Sequence, residues 1–325
     1  MRSLFSDFAG KRIAVIGDLM LDKYFWGGIT RISPEAPVPV VDVLEETAHL
    51  GGAANVAHNI RTLGATPVIF GVVGDDQPGR ELRAMYHSLG FDESGICVDK
   101  QRPTTVKTRV MAHNQHVVRI DRETRADISM ETQGMLLGAL QHAIGNIDVL
   151  ILEDYNKGVL VQPFIQKVIA LATAHDVPVM VDPKFKNFFE YRGVALFKPN
   201  RKEMEDAFGA TFASEEQIET AVRELRSRLN CENVLLTLGA KGMMLLDGDK
   251  TTNVSTVART VADVSGAGDT VIATLAVAFA CGATIREAAT IANVAAGIVC
   301  EEAGIVPVTR EALLKTLLEE HVSTN

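Results

Sequence analysis

The chain has 325 residues, 47% of them hydrophobic, 22% charged and 6% aromatic, the make-up of an ordinary folded protein and not of a disordered or fibrous one. Its 32 lysines and arginines against 41 aspartates and glutamates leave a formal charge of −9, which argues against broad affinity for nucleic acid and obliges any anionic ligand to find a locally basic pocket. The four cysteines, Cys97, Cys231, Cys281 and Cys300, form no C-x-x-C pair, no signal-peptide core follows Lys11 and Arg12, and the longest apolar segment, 271–283, falls short of the roughly 20 residues of a membrane span, so a cytoplasmic protein with free thiols is expected.

Short β-branched apolar runs, each ended by Gly, Asp, Asn or Pro, recur at 12–18, 68–74, 149–154, 178–182, 194–199 and 233–239, with helical spacing between them, as at 79–89 and 218–229. The alternation predicts an α/β fold with a mainly parallel central sheet and helices on both faces. Segments 24–45 and 97–123 break the rhythm. In the second, Val106, Thr108 and Val110 alternate with Lys107 and Arg109, as in a strand with one face in water. Together they predict a small β lid inserted into one core domain covering 1–325, and the apolar face expected on such a lid predicts a homodimer formed through it. Two apolar helices, 268–281 and 285–301, close the pattern, and most of their residues read as plain core.

The sharpest chemical signal is Asp263-Val264-Ser265-Gly266-Ala267-Gly268-Asp269-Thr270, which runs straight into the first of those helices. Gly266, Ala267 and Gly268 allow a tight turn that presents bare N–H groups at a helix N-terminus, where unpaired donors and the helix dipole favour an anion. Asp269 then falls in the first helical turn, placed to take a proton from a hydroxyl that attacks phosphorus. Ser and Asp before an apolar helix also serve as simple caps, but a cap does not require Gly-Ala-Gly with an Asp on each side.

Asp-x-x-Gly-Ala-Gly-Asp resembles the C-terminal signature of the ribokinase-like (PfkB) carbohydrate kinases, and the match is complete. The resemblance implies a ribokinase-like fold that binds ATP and Mg²⁺, with Asp269 as catalytic base, Gly266, Ala267 and Gly268 as the anion hole, and Asp263 near a monovalent cation such as K⁺. Gly51-Gly52-Ala53-Ala54-Asn55 is similar to the family's N-terminal signature, although many members carry one more residue between the glycines and the asparagine; Gly51, Gly52 and Asn55 would contact the sugar. Asp18 and Asp22 follow the first strand, where open α/β sheets bind ligands, and the position of Asp22 holds sugar hydroxyls in the family; Asp18 also fits an exposed turn.

Asn200-Arg201-Lys202-Glu203 resembles the family's Asn-x-x-Glu element, which implies that Asn200 and Glu203 serve Mg²⁺ and the ATP phosphates, mostly through water; a helix start after Pro199 explains the same pattern. Thr237, Gly239 and Gly242 are similar to the family's loop near the nucleotide, and Asn293 matches a position lining the adenine site. Further motifs, 31–40, Asn114-Gln115, Asp154-Tyr155-Asn156-Lys157-Gly158 and Asp182-Pro183-Lys184, resemble the bacterial kinases that convert D-glycero-β-D-manno-heptose 7-phosphate to its 1,7-bisphosphate on the way to the ADP-heptose of lipopolysaccharide. In some bacteria that kinase is fused to a nucleotidyltransferase; a chain ending at Asn325 leaves no room for one, so the resemblance is to the stand-alone kinase. A phosphorylated sugar needs cations, and Arg109, Lys157 and Lys184 are the candidates, with Lys184 equally readable as a surface lysine.

Two rival enzyme classes lack their motifs. No G-x-G-x-x-G follows an early strand, against a dinucleotide oxidoreductase, and no G-x-x-x-x-G-K-[ST] occurs, against a P-loop ATPase. A PfkB kinase of another sugar is the alternative within the family. A non-catalytic sugar-binding module is the alternative outside it, separable by ATP consumption. His113 and His116 have metal-pair spacing but no third ligand nearby, and read as part of a hairpin tip.

Overall fold

The computed structural model describes residues 2–112, 115–256, 263–302 and 304–323. After a short helix α1 (Arg2–Ser6), β1 (Arg12–Gly17) enters the core, and the chain leaves at once into a hairpin of β2 (Leu19–Ile32) and β3 (Pro39–Gly52). Helix α2 (Ala53–Thr62) brings it back to β4 (Thr66–Gly74), α3 (Gln77–Ser88) and β5 (Ile96–Asp99). The antiparallel pair β6 (Thr105–Ala112) and β7 (Gln115–Arg122) precedes α4 (Met130–Ala143), β8 (Val149–Glu153), α5 (Gln162–Ala174), β9 (Val179–Asp182), β10 (Leu196–Phe197), α6 (Arg201–Phe208), α7 (Glu215–Leu229) and β11 (Asn233–Thr237). An edge hairpin of β12 (Met243–Asp247) and β13 (Lys250–Val254) leads to α8 (Ala267–Ala280), α9 (Ile285–Cys300) and α10 (Arg310–Ser323).

Among the described residues the core sheet has nine strands in the order β13-β12-β11-β10-β9-β8-β1-β4-β5, parallel from β11 to β5. Because side chains alternate along a strand, neighbours in sequence enter opposite cores. Ile13 and Val15 pack with the residues of α2, α8 and α9, whereas Ala14 and Ile16 pack with those of α4, α5 and α7. A sheet buried on both faces explains why its strands read as continuous apolar runs.

Four strands, in the order β3-β2-β6-β7, make the lid. They reach further than 24–45 and 97–123 on one side and less far on the other. The first hairpin covers 19–52, so Asp22 and Gly51 belong to the lid's root, whereas 96–99 pairs with β4 as the core sheet's edge. Leu19, Met20, Leu21 and Leu50, at the root of the hairpin, are all buried, so no change of pattern marks where the lid begins. Ile32, Val43, Leu44, Val118 and Ile120 are exposed on the lid. His113 and Asn114 lie outside the described residues, and His116 is exposed on β7. All four cysteines are free. Among the described residues no helix is long and apolar enough to cross a membrane.

Candidate active site

Parallel strands end their side chains at one edge, and here β1, β8, β9 and β10 deliver Asp18, Glu153 with Asp154, Asp182 and Lys198 to the same edge. Helix α8 starts above them. Its N-cap, Gly266, sits at φ 78°, a left-handed conformation that glycine adopts without strain, and a Cβ there would lie 3.0 Å from Asn55 Nδ2. By helix geometry the amides of Gly268 and Asp269 have no intrahelical acceptor, so they remain available to an anion.

Asp269 is buried in that first turn. Asn55 Nδ2 donates to its Oδ2 at 2.7 Å and the Tyr155 hydroxyl donates to its Oδ1 at 2.8 Å. Asn55 is itself oriented, because its Oδ1 accepts from Asn59 Nδ2 at 3.3 Å, while Asn59 Oδ1 accepts from Thr270 Oγ1. Burial lifts the pKa of Asp269 to about 6, and the two donors restrain the rise. Tyr155 owes its position to Asp18, whose Oδ2 accepts from the Tyr155 and Lys157 amides and whose Oδ1 accepts from Val159 N. Asp18 thus holds the 155–159 loop and is buried, so it is not the exposed turn acid that its sequence position also fitted.

Beneath the helix start, Lys198 pairs with Asp182 at 2.7 Å, and both are buried. A Cβ on Gly268 would lie 3.7 Å from each partner, so this pair faces the open amides. Glu153 is fully buried with neither carboxylate oxygen hydrogen-bonded among the described residues, and its ligand oxygen lies within 4.8 Å of those of Asp182 and Asp269. Burial, then Asp182 and Asp269, push the Glu153 pKa well above the carboxylate range. Three oxygen ligands with two orphaned acceptors fit a hard cation such as Mg²⁺.

A cavity of about 850 Å³, within the range of small-molecule sites, opens beside this constellation. Its wall includes Asn200, Thr237, Gly239, Gly242 and Asn293, all expected on the nucleotide side, together with Tyr155, Lys184 and Gly266 to Asp269. Glu203 is absent from that wall. It forms a capping box with Asn200, accepting from the Asn200 amide at 2.8 Å through Oε2, and its Oε1 meets Lys184 Nζ. The helix-start reading of Asn200-x-x-Glu203 is thus realised in full, with Asn200 still reaching the cavity. Asp263 accepts from Ser265 N at 2.9 Å and Gly304 N at 3.2 Å, which ties the turn before α8 to the loop after α9.

On the lid side, Asp22 Oδ1 pairs with Arg109, and a Cβ on Gly51 would stand only 2.0 Å from Asp22 Oδ2, so glycine there is what admits the carboxylate. Gly52 caps α2 and thereby aims Asn55 at Asp269. Lys157 Nζ pairs with Glu123 at 2.7 Å. Lys107 lies 4.9 Å from the centroid of the Tyr155 ring and Lys184 lies 5.1 Å from it. Sequence reading missed Tyr155, Glu153, Asp182, Lys198 and Lys107 as site residues. The alternation that singled out Arg109 puts Lys107 on the same lid face, and Asp182 ends the strand that singled out Lys184.

Comparison with known proteins gives the family and the fold. The model of the pfkB family carbohydrate kinases matches residues 11–311. The bifunctional protein HldE of Trichlorobacter lovleyi is 42% identical over 322 residues, which are 99% of this chain and 66% of that protein, and the HldE of Helicobacter pylori is 40% identical over 311 residues, 96% and 67% of the two chains. This chain spans about two thirds of the length of these relatives. Among solved structures, Escherichia coli phosphofructokinase-2 in complex with substrates and products superposes with a TM-score of 0.77 at 16% identity, covering 95% of this chain and 99% of that one. Arabidopsis thaliana ribokinase complexed with ribose and ATP gives 0.75 at 22% identity, covering 94% and 98%. The fold is ribokinase-like.

Proposed function

We infer the activity from a premise now in hand: this chain belongs to the pfkB family of carbohydrate kinases. On this reading it transfers the γ-phosphoryl group of ATP to the anomeric hydroxyl of D-glycero-β-D-manno-heptose 7-phosphate, giving the 1,7-bisphosphate used toward ADP-heptose and lipopolysaccharide. The observation that carries it is Asp269: a buried carboxylate with a pKa near 6, held by two donors, in the helix turn whose open amides face an ATP-sized cavity. The heptose choice rests on the motifs around Arg31, Asp154 and Asp182. The bifunctional relatives, of which this chain spans two thirds, are what a fusion of such a kinase with a second activity would look like.

In the proposed reaction Asp269 takes the proton of the sugar hydroxyl as its oxygen attacks the γ-phosphorus. The amides of Gly268 and Asp269 and the ammonium of Lys198 meet the charge on the transferring group. Thr237, Gly239, Gly242 and Asn293 hold the nucleotide, and Asn55, Asp22 and the Gly51-Gly52 turn hold the sugar. Magnesium, when bound, neutralises phosphate charge; Asp182 and Glu153 would hold it, with Asn200 on the cavity wall and Glu203 acting from behind Lys184. Two subunits pair through the exposed lid residues Val43, Leu44, Val118 and Ile120. The chain is one kinase domain with its lid inserted.

A screen of sugar phosphates with ATP, read by ADP release and by mass spectrometry of the product, tests the activity. The heptose 1,7-bisphosphate is the expected product, and ADP release no faster with any sugar than without one sinks the reading.

Because the base must be deprotonated, activity falls as pH drops through about 6 in the wild type. Tyr155→Phe removes a donor that favours the charged carboxylate, so the pKa rises and the acid limb of kcat/KM moves upward by about one pH unit. A limb that stays in place or moves down removes Tyr155 from the role of holding the base.

A further inference from the structure

The cations that sequence reading assigned to the substrate's own phosphate are each already matched with a carboxylate: Arg109 with Asp22, Lys157 with Glu123, and Lys184 with Glu203. Lys198, on the cavity side, is matched with Asp182. Lys107 is different. It is half-buried on β6, directly across from Asp22 on β2, and among the described residues no carboxylate lies within ion-pair distance of its ammonium. Among the described residues its one specific side-chain contact is the face of Tyr155, 4.9 Å from the ring centroid. Burial first, with Lys157 and Arg109 adding to it against the pull of Asp22 and Glu123, holds its pKa below the ordinary lysine value.

Resting on the sugar-phosphate kinase reading above, we propose that Lys107 is the residue that recognises the phosphate already present on the sugar, and so sets the enzyme's preference for a phosphorylated substrate. Three observations carry this. A half-buried cation held only by an aromatic ring is an incomplete site, because buried charges are normally paired. Asp22 is paired with Arg109, Glu123 with Lys157, and Asp121, across from Lys107 on β7, with Arg119, which leaves Lys107 beside them with no ion-pair partner among the described residues where the molecule as a whole carries −9. Tyr155 also fixes the direction: its hydroxyl is on Asp269 and its ring is under Lys107, so the cation stands about one tyrosine side chain away from the base.

That separation is of the order of a sugar carbon chain with its reacting hydroxyl at one end and its phosphate at the other. The nucleotide's phosphates are served separately, because Lys184 and Lys198 line the large cavity and Lys107 does not. Lys107 thus meets an anion that arrives from the lid side.

The test compares kcat/KM for D-glycero-β-D-manno-heptose 7-phosphate and for the unphosphorylated heptose in wild type, Lys107→Met and Lys107→Arg. One charge-assisted contact sets the scale: the ratio of the two efficiencies should fall about 10- to 150-fold in Lys107→Met, mostly through KM, and recover in large part in Lys107→Arg. A loss shared equally by both sugars means that Lys107 acts only by bracing Tyr155 and Asp269, and overturns the proposal while leaving the kinase reading intact.

A second measurement needs neither turnover nor a variant. Acetylation of the wild-type protein is mapped by mass spectrometry with no addition, with heptose 7-phosphate and with inorganic phosphate. Protection of Lys107 by either anion is expected. Labelling of Lys107 that neither anion slows overturns the proposal, even if the enzyme proves to be a sugar kinase. Protection without turnover of any phosphorylated sugar upholds the anion site and removes the proposed reaction instead.

Discussion

Asp269→Asn is expected to lower kcat about 10²- to 10⁴-fold, the range for removing a general base, with the fold kept. The conservation of structure follows from the hydrogen bonds. Asn55 cannot turn freely, because its Oδ1 accepts from Asn59, so it continues to offer Nδ2. The new asparagine would place its oxygen toward Asn55 and its amide toward Tyr155, whose hydroxyl oxygen can accept as well as donate. Shape and polar satisfaction are retained, and only the basicity is lost. Steady-state turnover by coupled ADP release, alongside a denaturant midpoint, checks both halves. Turnover within about threefold of wild type would exclude Asp269 as the base.

Lys198→Met should be the most destabilising of the site variants, by about 3–5 kcal/mol, because it removes one partner of a buried ion pair and leaves the other charged and unpaired. The surroundings make this worse. Asp182 would then share its pocket with Glu153, which has neither oxygen hydrogen-bonded among the described residues, and with Asp269, with Lys184 the remaining cation near them. The pH dependence has a definite sign. A carboxyl whose folded pKa lies above its unfolded value stabilises the fold below the unfolded pKa and loses that contribution as pH rises through the folded one. Glu153 is already such a group, and removing Lys198 takes away a cation that lowers its pKa, so the variant should be more stable at pH 5 than at pH 7 as far as Glu153 governs it. Adding Asp182→Asn to Lys198→Met should restore part of the stability, since it discharges the stranded partner. Urea unfolding at pH 7 and pH 5 measures all three. A loss under about 0.5 kcal/mol at pH 7, the scale of an ordinary surface change, would show that the pair is not a structural element.

The parts of the protein visible in the sequence are those governed by local rules. Continuous apolar runs at 149–154 and 233–239 become β8 and β11 because a strand buried on both faces needs no polar alternation. Gly266-Ala267-Gly268-Asp269 becomes a helix start with an open first turn because glycine alone takes the left-handed N-cap without strain. Asp22, Asn55, Thr237 and Asn293 could be nominated because each follows a strand or lies on a helix within a recognisable motif. The extent of the lid could not, since residues 19–21 are apolar on both faces at its root, where the lid strand joins the core.

What the fold alone decided is which side chains meet. Asn55 and Asp269 are 214 residues apart and Tyr155 and Asp269 are 114 apart, and no local periodicity links them. The order of strands in the sheet brings β8, β9 and β10 side by side, and only that order lets Lys198 neutralise Asp182, leaves Glu153 without a hydrogen-bond partner among the described residues, and makes Asp18 the anchor of the Tyr155 loop. Charge pairing depends on a few ångströms of separation in space, so the sequence could name Arg109, Lys157 and Lys184 as cations of the site, but only the tertiary structure could show that each is matched with a carboxylate and that Lys107, among the described residues, is not.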